Sequence, residues 1–405
     1  MRDRRPKMRA GISTPVRRKP SLDFSVTGLV YCTMMMFMGL AAINSQANLL
    51  FGVFGLMIGV LLVSGTISRL VLRHLMVRRV MPESAVVGER TTITYEFTNE
   101  NKFWPSLSVS LGELDGCDGF VKQPFTYMLH AASGMTAVVP TEVVPRRRGL
   151  YDLDHYQLST SFPFGFIKRA LIRRQKDPIL IYPAIAQVSG KLLQMCRSAE
   201  KSGARMRPRR GGLDEFYGVK EYRPGESPRM IHWRRSARTG VLVIKEMTQV
   251  APPRLMILVD TYLAGRSAEE HAEAGGVERA IAMAGSLASV ALEGGLSVGL
   301  GCWDGGFFGM NPNHGKRHRR DLLAALARLP LNTEHTVQEL LDFSREIMKT
   351  GTTPVLITPQ NLQMGLSEQA RGGMLVIAAS SPEGQGWFTF AAEVDFAHCM
   401  PAEQE

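Results

Sequence analysis

Two uninterrupted apolar runs open the chain, a period-two alternation follows, and apolar strands interleaved with helical stripes close it. Phe24 to Ile43 and Leu49 to Ile67 carry no charge between them. At about 1.5 Å per helical residue, each run is long enough for a ~30 Å hydrocarbon core. Only Asn44 to Asn48 separates them, so the pattern predicts a tight helical hairpin. From Ala85 to Pro183 the signal is β: Ile93, Tyr95 and Phe97 alternate with Thr92, Thr94 and Glu96, and Leu107, Val109 and Leu111 alternate with serines. Further strands are predicted at Thr136 to Val144, Tyr151 to Leu158, Leu171 to Arg173 and Ile179 to Tyr182. Short alternating strands between turn clusters predict a small β-sandwich. Residues 186–210 read as a helix followed by a basic linker.

Beyond Pro253 the texture changes. Arg254 to Val259 is a continuous apolar strand ending in Asp260, and Val277, Ala280, Ile281, Ala284, Leu287 and Val290 recur at helical spacing. Strands at Leu296 to Cys302, Val355 to Thr358 and Met374 to Ala379 alternate with helices at Leu322 to Leu329 and Val337 to Met348. That order predicts an open, mainly parallel sheet with helices on both faces. Ligands of such sheets sit beyond the carboxyl ends of the strands, where Asp260 and Thr358 fall. The layout is a basic tail (1–23), two transmembrane helices (24–71), a β domain (80–185), a linker with a motif segment (186–250) and an α/β domain (251–405).

Charge matters here by its position. The chain carries a net +11, yet residues 1–20 hold eight Lys or Arg against one acid and residues 69–79 hold four arginines. Nearly all the excess therefore flanks the apolar runs. By the positive-inside rule both ends of the hairpin face the cytoplasm, giving a multi-pass inner-membrane protein with both termini inside. The alternative is a signal peptide cleaved near Ser45-Gln46-Ala47. The five cysteines are scattered without a CxxC pair, which fits a reducing compartment and no zinc module.

The densest chemistry lies between Gly212 and Met247, where arginines and aromatics crowd around a Pro-Gly turn. Tyr222 and Trp233 beside Arg223, Arg229 and Arg238 have the composition of an interface hot spot, and arginine forks grip carboxylates at two points. In the competing internal reading, Trp233 and Tyr222 plug a domain seam while Glu215 and Glu221 neutralise the arginines. Residues 205–245 carry eleven Lys or Arg against four acids. No nucleic-acid module accompanies them, so no nucleic-acid partner is expected; anionic lipid competes for the Arg205 to Arg210 linker. No catalytic constellation is visible. His232 has no nucleophile motif around it, the remaining histidines are dispersed, and Gly309 to Arg317 lacks the spacing and the Ser/Thr of a phosphate loop.

The residues Glu215-Phe216, Glu221-Tyr222-Arg223, Pro224-Gly225, Pro228-Arg229, Ile231, Trp233, Ala237-Arg238 and Gly240 keep one order. With Arg148-Gly149-Leu150-Tyr151 and Phe162-Pro163-Phe164-Gly165, they resemble the bacterial family called "domain of unknown function 58". The resemblance implies a last domain similar to von Willebrand factor A domains. It also implies partnership with a MoxR-type AAA+ ATPase and a transglutaminase-like membrane protein; it brings no established activity. A von Willebrand factor A site holds a divalent cation through Asp-x-Ser-x-Ser, but here Tyr262 and Ala264 replace the serines after Asp260, so the site reads as degenerate and no cofactor is expected. The expected protein is a membrane-anchored cytoplasmic adaptor and not an enzyme. The alternative is a hydrolase-like enzyme of a membrane-associated pathway.

Overall fold

The computed structural model describes residues 14–15, 21–203, 209–224, 226–249, 254–262, 270–330, 335–348, 352–359, 374–391 and 394–396. They form two compact units, residues 1–184 with 391–405, and residues 185–390.

The first unit opens with β1 (Thr14–Pro15) and β2 (Ser21–Phe24), followed by α1 (Val26–Ser45) and α2 (Asn48–Arg73). Both helices are long and apolar enough to cross a membrane. Their side chains lie mostly exposed, as for Leu29, Phe37, Leu56 and Leu62, which suits a lipid environment better than a water-facing surface. Gln46, in a left-handed conformation, turns one helix into the next. The strands are β3 (Leu75–Val80), β4 (Ala85–Val86), β5 (Thr91–Asn99), β6 (Ser106–Glu113), β7 (Phe125–Ala131), β8 (Thr136–Val143), β9 (Gly149–Thr160) and β10 (Ile167–Tyr182). They make one sheet in the order β3-β5-β8 and another in the order β1-β10-β9-β6-β7, with β2 and β4 also pairing with β10. The alternation read in β5 is realised: Ile93, Tyr95 and Phe97 are wholly buried.

Three features of this unit depart from the sequence reading. The 1–23 tail contributes strands, with β2 lying antiparallel to Ile167–Ala170. The β structure starts at Leu75 instead of residue 80, directly after α2, and this takes Arg79 out of the membrane-flanking charges and into a core. The two strands expected at 171–173 and 179–182 are one, β10, interrupted by an irregularity between Arg174 and Asp177.

Inside the unit, Arg79 binds Glu113 through two parallel bonds, Nε to Oε1 at 2.8 Å and Nη2 to Oε2 at 2.7 Å. Its remaining nitrogen donates to the carbonyls of Leu153 and Gln175 and to Asp177 Oδ2. The Tyr95 hydroxyl adds a bond to Glu113 Oε1 at 2.9 Å, and the guanidinium lies 4.8 Å above the centre of the Tyr156 ring. Burial pushes the Glu113 carboxyl up, while Arg79 and the Tyr95 hydroxyl pull against it.

The helices are seated on the β9–β10 connection. The Ser25 N–H donates to Phe166 O at 3.1 Å, and the Ser68 hydroxyl donates to Phe162 O at 2.7 Å. The Tyr31 ring stacks on Phe166 with centroids 4.2 Å apart. A Cβ on Gly28 would overlap the Phe166 carbonyl oxygen, which is why the backbone needs glycine there. Gly28→Ala is expected to cost about 1–3 kcal/mol, read as a lower thermal midpoint of the full chain in detergent. An unchanged midpoint would mean that α1 is not seated on this loop.

The second unit contains β11 (Gln187–Val188), α3 (Gly190–Gly203), β12 (Arg209–Glu221), α4 (Trp233–Thr239), β13 (Val243–Gln249), β14 (Arg254–Val259), α5 (Glu270–Glu293), β15 (Ser297–Trp303), β16 (Phe307–Asn313), α6 (Lys316–Arg328), α7 (Val337–Ile347), β17 (Thr352–Thr358), β18 (Leu375–Ala378), α8 (Pro382–Gly386) and β19 (Phe388–Thr389). A five-stranded mixed sheet runs β16-β15-β14-β17-β18, parallel except for the edge strand β16. Gly309 to Asn313, part of the stretch weighed above as a phosphate loop, belongs to that edge strand. Met256, Leu258 and Leu356 of the sheet pack with Trp303 and with Leu340 and Leu341 of α7. The stripe residues of α5 from Val277 to Leu287 are buried, but so are nearly all their neighbours, so the helix is enclosed almost all round; Val290 is half-buried. Apart from this sheet, β12 and β13 pair with each other as an antiparallel ribbon.

Candidate functional site

The ribbon carries residues 222–242 at its tip, and local rules explain their fold. Pro228 begins a short 3₁₀ turn, for which its fixed φ is suited, and Gly240 ends α4 in a left-handed conformation (φ +75°). Ser236 is buried and ties the helix down: its hydroxyl accepts from the Val243 N–H at 2.9 Å and bonds back toward His232 O. Tyr222 N–H reaches Leu242 O, His232 N–H reaches Val243 O, and the buried Ile231 bridges Ile244. The Lys220–Glu226 ion pair and the Arg223 N–H, which donates to Glu226 Oε2, close the turn before it. Those two contacts, Lys220 first, hold the Glu226 carboxyl below its usual range.

On this rigid base the recognition-type side chains face outward. Trp233 is 65 % exposed, and Arg223, Arg229 and Arg238 are exposed; Arg223 lies in the field of Glu226, while Arg229 and Arg238 have no acidic partner among the described residues. Tyr222 is half-buried beside them. Glu221, the carboxylate read as an internal partner for these arginines, is exposed and pairs with none of them. Glu215 lies lower on the ribbon, opposite Thr248, and its side chain falls outside the described residues. The tip also presents Arg234, Arg235, Val241 and Leu242, which the sequence reading did not single out. The signal was available: Ser227-Pro228 and Gly240 bracket a short helix, and placing Ser236 inward turns its neighbours outward.

The second candidate is the carboxyl edge of the parallel strands. Asp260 follows β14 and Thr358 ends β17, and strand pairing brings them together. The Thr358 hydroxyl donates to Asp260 Oδ2 at 2.9 Å, and the Tyr262 N–H donates to Oδ1 at 3.0 Å. Burial lifts the Asp260 carboxyl to about 6 against the pull of those two donors. Thr261, beside it, is wholly buried. A hard divalent cation needs about six oxygen ligands. Asp260 and the two threonines offer fewer oxygens than that, and no group of three or more His, Cys, Asp or Glu that would hold a metal occurs among the described residues.

Residues 218–373 match the family described as "Protein of unknown function DUF58". This stretch of the chain belongs to DUF58. No curated protein matches the chain. The DUF58 stretch takes in the ribbon tip with Tyr222, Arg223, Arg229, Trp233 and Arg238, as well as Asp260 and Thr358; Glu215 lies just before it. Both candidate sites therefore fall within the DUF58 part.

Proposed function

We propose that this protein is a membrane-anchored cytoplasmic adaptor, with both termini inside the cell, that engages its partner through the ribbon tip. The carrying observation is Trp233, a large ring held 65 % exposed on a short helix amid exposed arginines. Exposed Trp and Arg on a preorganised element are the composition of an interface hot spot. The two apolar helices supply the anchor. The expected β-sandwich and von Willebrand factor A-like forms belong to this proposal, supported by the two sheets of the first unit and by the open sheet with Asp260 at its carboxyl edge. By family resemblance, a MoxR-type AAA+ ATPase is the leading partner, presenting an acidic face with an apolar pocket. A transglutaminase-like membrane protein is the second.

Trp233→Ala is expected to weaken co-purification with the ATPase by roughly 30-fold, the factor for a hot spot of about 2 kcal/mol. The thermal midpoint should stay unchanged, because the ring is mostly in solvent. Arg229→Ala should act in the same direction. Retention at the wild-type level by both folded variants would defeat the proposal, as would steady turnover of a small molecule by the full chain.

A further inference from the structure

The foot of the helical hairpin lies at a defined depth. Arg69 is 21 residues beyond Asn48, where α2 begins, so it stands about 32 Å from the hairpin turn at ~1.5 Å per residue. That length matches a ~30 Å hydrocarbon core and places Arg69 at headgroup level on the β-domain side. The same level holds exposed aromatics, Phe24 at 60 % and Phe164 at 49 %, with Phe164 stacked on Phe166. Aromatic rings of this kind favour the membrane–water boundary.

At that level the turn of α2 that carries Arg69 meets the start of β10, which carries Arg169. Ser68 binds Phe162 O, and a Cβ at Gly65 would lie 3.6 Å from Ile167 Cδ1, so this turn of α2 rests on the start of β10, where Arg169 is half-buried. Burial and then the charge of Arg69 hold the Arg169 guanidinium below its usual pKa. Neither arginine has an acceptor or an acid among the described residues. Asp23, the acid nearest in register, lies opposite Lys168, which the pleat directs to the other face of β10. Two like charges on facing elements, Arg169 half-buried and Arg69 exposed, suit a shared anion, and the guanidinium fork matches phosphate oxygens.

We infer that Arg69 and Arg169 together bind the phosphate of an anionic phospholipid headgroup, fixing the β domain against the leaflet on its own side. This rests on the membrane reading above. The test is made with the full chain in nanodiscs of equal phosphatidylglycerol and phosphatidylcholine, counting the lipids retained after detergent release by native mass spectrometry. Wild type should retain phosphatidylglycerol selectively. Arg69→Gln and Arg169→Gln should each lower that selectivity about fivefold, the factor for about 1 kcal/mol per basic residue. Lys168→Gln, the same charge change on the opposite face, should leave it unaltered. Each Gln variant relieves a like-charge contact, so loss of fold is not expected, and melting in detergent checks this. Equal effects of all three variants, or none, would overturn the site while leaving the anchor standing. Displacement of the lipid by free inorganic phosphate would reassign it to a soluble anion. If alkaline carbonate strips the wild-type chain from membranes, the anchor reading falls, and the site with it.

Discussion

Arg79→Met should destabilise the folded chain by about 3–5 kcal/mol, the cost of leaving one partner of a buried ion pair behind. Arg79 and Glu113 side chains are both wholly inaccessible to solvent. Once the guanidinium is gone, the Glu113 carboxylate keeps only the Tyr95 hydroxyl and cannot reach water. Two further results separate this cause from simple loss of packing. The loss should shrink on acidification: without Arg79 the folded-state pKa of Glu113 rises further above its unfolded value, so the folded state holds the extra proton as pH falls. Adding Glu113→Gln should recover part of the loss, because a neutral amide needs no counter-charge. Urea midpoints of the single and double variants in detergent decide it. A double variant no more stable than the single would show that the buried charge is not what matters.

The network also connects elements that would otherwise be joined only by chain. Arg79 sits on β3, immediately after α2, and reaches Glu113 on β6, the Leu153 carbonyl on β9 and Asp177 on β10. It thereby joins the β3-β5-β8 sheet to the other sheet and to the strand leaving the helical hairpin. With Ser25 and Ser68 bonded to the 162–166 connection, it fixes the β domain to the helical hairpin. In the adaptor role proposed above, such a joint would hold a partner at a set distance from the surface.

Sequence patterns reveal those parts whose cause is local. The hairpin is legible because twenty apolar residues without a charge have few other uses. β5 and β14 are legible because their burial repeats at two or is continuous. β7 was missed because its pattern is inverted: Phe125, Tyr127 and Leu129 are exposed, while Thr126 and Met128 are buried. β12 was missed because Arg209 to Glu221 mixes glycines and charges, and its strand form depends on pairing with β13. From the sequence Arg79 reads as a membrane-flanking charge, since its partners lie 34 and 98 residues away and no short-range spacing announces them. At the ribbon tip the choice of residues was legible, but their exposure was not: Trp233 reads equally as plug or probe until Ser236 is seen to occupy the inward position.

Asp260→Asn should stabilise the chain by up to about 3 kcal/mol above pH 6. Burial raises the carboxyl from 3.8 to about 6, and at about 1.36 kcal/mol per pKa unit that displacement costs about 3 kcal/mol once both states are ionised. Because the folded-state pKa is the higher one, Asp260 imposes no penalty below about pH 4; the penalty grows between pH 4 and 6 and is complete above. Asparagine can keep the Tyr262 N–H on its oxygen and present its amide to the Thr358 hydroxyl, without a charge to desolvate. Thermal midpoints of the full chain in detergent across pH 4–7 should therefore fall for wild type and stay level for the variant. The same measurement addresses the cation question from the other side. Magnesium should leave both midpoints unmoved, since one carboxylate with two threonines is fewer oxygens than the ion needs. A wild-type midpoint raised by magnesium, with an unresponsive Asp260→Asn, would make Asp260 a ligand and turn its ionisation from a penalty into the condition for binding.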